Sequence, residues 1–343
     1  MNIKREVAQF ASDKILNKAH LGRVIKWVRG ENVPPITVEI DMTNICPHRC
    51  PGCAGGMEQE AACLPNPKRI VDEILSLGSK GITFTGGGEP LVDKRTPEIV
   101  EYAAQKLDVG FITNGGLIDR ENAKVLVDNC VWVRVSLDAS NSEDYKKTHG
   151  MPKEEFYKVI KNISLLVKAK KESGSDCTIG VGYLTNKSML TGMEEATIIC
   201  KGLRVDYIQF RPFHYDRTPI DEQLEKCLRH EEGNSKVLWS KHKYEAMKYG
   251  SGRRDYGKCY GHQFAAVIGA DGKMYVCCHM RGIRKYVLGD TNEHSIQEIW
   301  DSKKRQAVVD NIDFKDCPPM CRCNTFNSIL WQIKKSKEHV NFL

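Results

Sequence analysis

The chain has 343 residues, 41% hydrophobic and 28% charged, with a formal net charge of +7. That length can bury a barrel-sized core and a smaller appendage, and the even composition excludes a disordered, collagenous or low-complexity chain. No stretch is apolar for long enough to cross a bilayer, the first residues lack the h-region of a secretory signal, and no basic block marks a nucleic-acid face, so a cytoplasmic protein is expected. Fourteen cysteines in a reducing compartment point to metal or catalysis rather than to disulfides, the more so because most of them fall in two groups.

In chain order, an amphipathic segment from Arg5 to Arg29 predicts a helix. The first strand, Ile36 to Ile40, leads into Cys46-Pro47-His48-Arg49-Cys50-Pro51-Gly52-Cys53. A helix over Pro67 to Leu77 and a strand over Gly81 to Thr85 end in Gly86-Gly87-Gly88-Glu89-Pro90. The rhythm then repeats. Helix Glu98 to Lys106 precedes strand Val109 to Thr113, helix Arg120 to Asn129 precedes strand Trp132 to Leu137, and helix Lys153 to Glu172 precedes strand Cys177 to Leu184. Helix Met189 to Lys201 then delivers strand Val205 to Phe210. Six strands with helices between them predict an α/β fold, a partial (β/α)6 TIM-like barrel with ligands at the carboxyl ends of the strands. The polar stretch Pro219 to Arg254 reads as a linker with one or two helices, and Ile268 to Val276 as a hairpin through Asp271-Gly272. The expected division is a helical extension at 1–35, the barrel at 36–218, linker helices at 219–254, a cysteine-rich hairpin and helix domain at 255–327 and a helical tail at 328–343.

A short turning loop with three thiols suits an iron–sulfur cluster, and three ligands for four irons leave one iron open to chelate a small molecule. Zinc is the competing reading, with His48 as a fourth ligand. On the strand from Trp132, period two places Arg134, Ser136 and Asp138 on one face, which calls for a polar cavity.

Cys46, Cys50 and Cys53 in C-x₃-C-x₂-C spacing resemble the signature of the radical S-adenosylmethionine (SAM) superfamily. The resemblance implies a [4Fe–4S] cluster whose open iron chelates SAM and an electron that splits SAM to a 5′-deoxyadenosyl radical, which takes hydrogen from substrate. It implies that Gly86, Gly87, Gly88 and Glu89 meet the methionine amino group, that Ser136 and Asp138 contact the ribose or carboxylate, and that Asn114 and Gly180 to Gly182 lie near the adenosine. The family often carries an aromatic residue before the third cysteine. Gly52 stands there, so adenine packing is assigned to Ile208 or Phe210.

The second group comprises Cys259, Cys277 in G-x₄-C spacing from Gly272, Cys278, Cys317, Cys321 and Cys323. It resembles the Twitch annex, the shorter form of the SPASM domain. That implies one auxiliary [4Fe–4S] cluster on Cys259, Cys277, Cys317 and Cys321, with zinc the competing metal. Cys278 and Cys323 are left over as hydrogen-atom donors to a substrate radical, unless Cys323 is itself the fourth ligand. Arg211 at the barrel mouth suits a clamp for a carboxylate or phosphate, and His214 or Tyr215 a proton acceptor. Gln209, Asn186 and Lys187 are further rim candidates, whereas the scattered Cys63, Cys130, Cys177, Cys200 and Cys227 receive no role. The expected function is oxidation or epimerisation of a sugar- or aminocyclitol-type small molecule, served by a flavodoxin- or ferredoxin-type reductant. Modification of a precursor peptide is the alternative, and a non-enzymatic zinc or electron-transfer protein is the reading from another class.

Overall fold

The computed structural model describes residues 12–53, 60–213, 216–233, 235–248, 254–318 and 321–335. A 3₁₀ turn (Ser12–Leu16) precedes helix α1 (Lys18–Val28), which begins where the Asn17 side chain accepts from the Ala19 N–H at 2.9 Å. There follow β1 (Thr37–Asp41), α2 (Pro67–Ser76), β2 (Gly81–Thr85), α3 (Thr96–Ala104), β3 (Asp108–Thr113) and α4 (Arg120–Asn129). Next come β4 (Trp132–Ser136), α5 (Ser142–His149), α6 (Glu154–Ser173), β5 (Thr178–Thr185), α7 (Met193–Leu203) and β6 (Tyr207–Pro212). The remainder holds α8 (Asp221–Leu228), β7 (Lys236–Trp239), α9 (Lys241–Lys248), β8 (Ala265–Ile268), β9 (Lys273–Tyr275) and β10 (Val287–Asp290), then α10 (Ile296–Asp301), α11 (Lys303–Asp310) and α12 (Asn324–Lys335).

These strands form one sheet in the order β10-β9-β8-β1-β2-β3-β4-β5-β6-β7. β1 to β7 pair in parallel, β8 runs parallel to β1 on its other side, and β9 and β10 continue antiparallel. The order has two free ends, so the barrel is partial. Alternation sorts the side chains. Val38, Ile40, Ile82, Phe84, Val109, Phe111, Val133, Val135, Ile179, Val181, Ile208 and Phe210 face the helices and are at most 1% exposed. The opposite face carries Glu39, Asp41, Thr83, Arg134, Ser136, Gln209 and Arg211, with glycine at 110, 180 and 182. A sheet that is aliphatic outside and polar inside is built around a polar lumen rather than a packed centre.

The structure departs from the expected elements in three places. Lys236–Trp239, expected within a helical linker, is a seventh parallel strand in register with Tyr207–Phe210; four residues at a sheet edge are too short to show a period. The hairpin at β8 and β9 is not a detached appendage, because β8 extends the barrel sheet directly at Thr37↔Ala265. The last helix begins at Asn324 rather than 328, and Ser142–His149, Ile296–Asp301 and Lys303–Asp310 are additional helices.

A second apolar cluster joins the chain's ends: Ile15, Val24, Trp27 and Val33 pack with Tyr260, Phe264 and Leu330. The Trp27 and Tyr260 rings meet edge to face at 4.9 Å. Among the described residues no helix is long and apolar enough to cross a membrane.

Candidate active site

The first thiol loop leaves β1 and is held from below by the glycine-rich end of β2. Gly88 N–H donates to Thr43 O at 2.9 Å and Glu89 N–H to Ile45 O at 3.0 Å. A Cβ on Gly88 would stand 2.2 Å from Ile45 O, so only glycine allows this approach. The Glu89 carboxylate is buried and accepts from Thr113 Oγ1 and the Asn114 N–H, both at 2.7 Å, and from the Leu91 N–H at 3.3 Å. Burial pushes it up to about 7 against those bonds. Asn114, so held, points its Nδ2 at Cys46 Sγ, 3.7 Å away.

Cys46 and Cys50 are half-buried and Cys53 is exposed. Burial pushes the Cys50 thiol up to about 12, and the nearby Cys53 and Cys46 thiols add to the rise. Burial raises Cys46 as well, and thiols that resist ionising fit a cluster whose iron takes up their charge. His48 is buried beside them, its ring edge-on to His149 at 5.4 Å. Burial, with His149, brings His48 down to about 4, so it is neutral. The ligand atoms of His48, Cys50 and His149 lie within 4.8 Å of one another.

Along the far wall, Arg134 and Ser136 share the inward face of β4 as period two predicts, but Asp138 lies beyond the strand in a left-handed conformation, φ 43°. Its carboxylate accepts from the Leu184 N–H at 2.7 Å, and the charges of Arg211 and Arg134 offset part of its burial. Ile208 and Phe210 face the helices, and Phe210 meets Tyr183 edge to face at 5.5 Å. Neither can pack on an adenine in the lumen, because their strand neighbours Tyr207, Gln209 and Arg211 take the inward positions. The aromatic ring beside the thiol loop is Phe213, just past β6: a Cβ on Gly52 would lie 2.7 Å from its Cζ. The sequence signal for it was the glycine itself, whose missing side chain leaves room for a ring from elsewhere. Asn186 caps its own turn through Ser188 and Met189, and Lys187 is exposed. His214 and Tyr215 lie outside the described residues.

The second thiol group gathers around the lower end of the same sheet. Cys259 precedes β8, Cys277 and Cys278 follow β9, and Cys317, Cys321 and Cys323 precede or open α12. Burial raises Cys277, and Cys278, Cys321 and Cys259 add to it. Burial likewise pushes Cys317 up to about 12, with Cys259 and Cys321 contributing. Cys259 and Cys321 thus lie near both Cys277 and Cys317, a donor set that fits a four-thiolate cluster. Asn327 Nδ2 donates to Cys259 Sγ at 3.4 Å, and the Cys323 N–H to Cys321 Sγ at 3.4 Å. Cys323 is buried at 6% exposure and also feels Cys321 and Cys259. Cys278 is set among Arg322, Glu39 and Arg281.

Ion pairs tie this group to β1. Arg322, between Cys321 and Cys323, binds the inward Glu39, and Arg281 binds the inward Asp41, with Nη2 to Oδ1 at 3.0 Å. A cavity of about 990 Å³ opens below the strands and is lined in part by Glu39, Thr83, Trp132, Arg322 and Cys323.

Residues 40–196 match the model of the Radical SAM superfamily, and residues 259–324 match that of SPASM, an iron–sulfur cluster-binding domain. The chain is therefore a radical SAM protein with a C-terminal SPASM-type domain, and its cofactors are [4Fe–4S] clusters and SAM. It is similar to a probable GTP 3′,8-cyclase of Methanococcus vannielii, 28% identical over 202 residues, 54% of this chain and 65% of that one. It is also similar to a PqqA peptide cyclase of Granulibacter bethesdensis, 31% identical over 119 residues, 32% of each chain. The match thus spans less than two thirds of either relative. In fold it is similar to Streptococcus suis SuiB, with TM-score 0.66, 14% identity and coverage of 85% of this chain and 72% of that one. It is likewise similar to anSMEcpe with bound AdoMet, with TM-score 0.59, 15% identity and coverage of 88% and 96%.

Proposed function

We propose that this radical SAM enzyme removes a hydrogen atom from a carbon of a substrate lying in the lumen between its two thiol groups. Cys46, Cys50 and Cys53 hold the SAM-binding cluster, and Cys259, Cys277, Cys317 and Cys321 hold an auxiliary one. The observation that carries the reading is the attachment of both groups to one strand. β1 runs into the first loop, while Glu39 and Asp41 on its inward face are gripped by arginines from the second.

When bound, the cluster and SAM supply a one-electron cleavage that yields a hydrogen-abstracting carbon radical. The chain's own residues place and shield that chemistry. Gly86, Gly87 and Gly88 let the backbone come close to the methionine end of SAM, and Glu89 fixes Asn114 beside Cys46. Ser136 and Asp138 face the ribose or carboxylate, and Phe213, in place of Ile208, offers its ring to the adenine. A flavodoxin- or ferredoxin-type protein supplies the electron.

The substrate is a polar small molecule, of sugar or aminocyclitol kind, that is oxidised or epimerised. Oxidation would call on an auxiliary cluster held by Cys259, Cys277, Cys317 and Cys321 to take an electron and on His214 or Tyr215 to take a proton; epimerisation would call on Cys323 or Cys278 to give a hydrogen atom, the thiol being restored by one electron from the external reductant and one proton. Precursor-peptide modification is the second reading, favoured by the similarity to PqqA peptide cyclase.

Anaerobically reconstituted protein given dithionite and SAM is expected to form 5′-deoxyadenosine and methionine; formation of neither overturns the enzyme reading. Cys321→Ala is expected to lose about four irons per chain and Cys323→Ala none. The reverse pattern exchanges their roles.

A further inference from the structure

The inward face of β4 to β6 brings together cations that neither cluster site uses. Arg134 on β4 is 5% exposed although it stands on a central strand. Arg211 on β6 reaches toward it across β5, whose inward positions are glycines 180 and 182. A Cβ on Gly182 would stand 2.7 Å from Arg211 Nη2 and 3.5 Å from Arg134 Cδ, so the two side chains share the space left by the missing one. Lys243 of α9 comes to the same place. Its helix packs against β6, and burial, with Arg211 and Arg134 contributing and Cys278 and Cys321 favouring its charge, brings it down to about 8. Burial, then Arg211, likewise brings Arg134 down to about 9.

Acidic groups also reach these cations. Asp138 feels both arginines. Glu39 reaches Arg134 but is already bound by Arg322. The thiols Cys278 and Cys321 of the second group reach Lys243. Arg211 Nε and Gln209 Oε1, a donor and an acceptor on the same face, are buried without a hydrogen-bond partner, and so is the Tyr207 hydroxyl. Buried like charges beside unmet donors are unfavourable in an empty protein and become favourable when an anion joins them. Arg134 lies one inward position deeper than Ser136, beneath the place assigned to SAM.

We propose that Arg134, Arg211 and Lys243 form a binding site for an anionic group of the substrate, a carboxylate or a phosphate, with Gln209 Oε1 accepting from a hydroxyl or amine beside it. A guanidinium pair matches either oxyanion in a forked geometry, and the lysine adds an adjustable third donor. The site holds one end of the substrate against β5 so that a neutral carbon faces the radical. This deepens the proposed function and rests on the lumen being where substrate meets SAM.

The test uses the reconstituted holoenzyme at constant ionic strength, with inorganic phosphate, glycerol 3-phosphate and glycolate as probes and sodium chloride as the control. At least one probe is expected to raise Tm saturably. The apparent affinity should fall about tenfold in Arg211→Met, the scale of a lost charge-assisted bond. Gly182→Ala keeps every charge but displaces the guanidinium, and should weaken the same probe. SAM affinity, measured by equilibrium dialysis, is expected to stay within about twofold of wild type in Arg211→Met, well short of one lost charge-assisted bond; Gly182→Ala, beside the place assigned to the adenosine, is scored on the anion probe alone. If Arg211→Met melts below the wild type without any anion, Lys243→Met takes its place in the comparison. The proposal is overturned if no probe acts beyond chloride, if the variants respond as the wild type does, or if Arg211→Met loses SAM, which would assign the arginines to SAM's own carboxylate. Preference for phosphate probes over glycolate, or the reverse, separates the two anions. 5′-Deoxyadenosine formation by the wild type without substrate is scored separately, so failure of the anion site and failure of the radical SAM reading are distinct results.

Discussion

Asp41 is the most constrained carboxyl group between the two thiol groups. Its side chain is 1% exposed and that of its partner Arg281 is 7% exposed. Burial outweighs the guanidinium and holds Asp41 up near 7. A carboxyl raised in the folded state contributes stability in full below its unfolded value of about 3.8, and that contribution is lost as pH rises through about 7. Asp41→Asn is therefore expected to flatten the decline of the urea midpoint between pH 4 and 7. Arg281→Met leaves the carboxyl buried without its cation, moves the decline to higher pH, and should cost about 3–5 kcal/mol at pH 8 but distinctly less at pH 5. An equal loss at both pH values would show that Arg281 acts by packing alone. Residue types and spacing were enough to single out both thiol groups. The partners Glu39, Asp41, Arg281 and Arg322 were not legible, because each ion pair joins positions about 240 or more apart in the chain. Ile208 shows the other limit: period two makes two faces, and only the neighbours decide which is inside.

At the scale of elements, the turn after β2 and the loop after β1 form one unit. Backbone bonds from Gly88 and Glu89 hold the start of the loop. Gly88→Ala forces its Cβ into Ile45 O and is expected to cost about 1–3 kcal/mol. Its sharper consequence is at the cluster: reconstituted Gly88→Ala should hold about four fewer irons per chain, with the auxiliary site still filled. Iron content equal to wild type would mean that the loop is shaped by the metal instead. The alternation of strands and helices up to β6 was readable because each strand's outer face is aliphatic and each helix has a packing face. β7 escaped because a four-residue edge strand with one buried residue carries no period.

For the whole molecule, β8 makes the SPASM-type region part of the barrel sheet, and Trp27, Tyr260 and Leu330 close the two ends of the chain against each other. A chain ended at residue 254 would leave the β1 edge, now paired with β8, open, and exposed edges pair with other chains. It is expected to elute as aggregate in size-exclusion chromatography, whereas a monodisperse product would show that the barrel folds without β8.

The amino-acid sequence by itself determined the radical SAM class, both thiol groups and the parallel α/β core, since these rest on local spacing and on periods of two and 3.6 residues. The tertiary structure alone decided that the hairpin joins β1, that Phe213 rather than Ile208 lies beside the first loop, and that Arg134, Arg211 and Lys243 converge. These are contacts between distant segments, and no local pattern encodes which inward face a crossing strand or helix will meet.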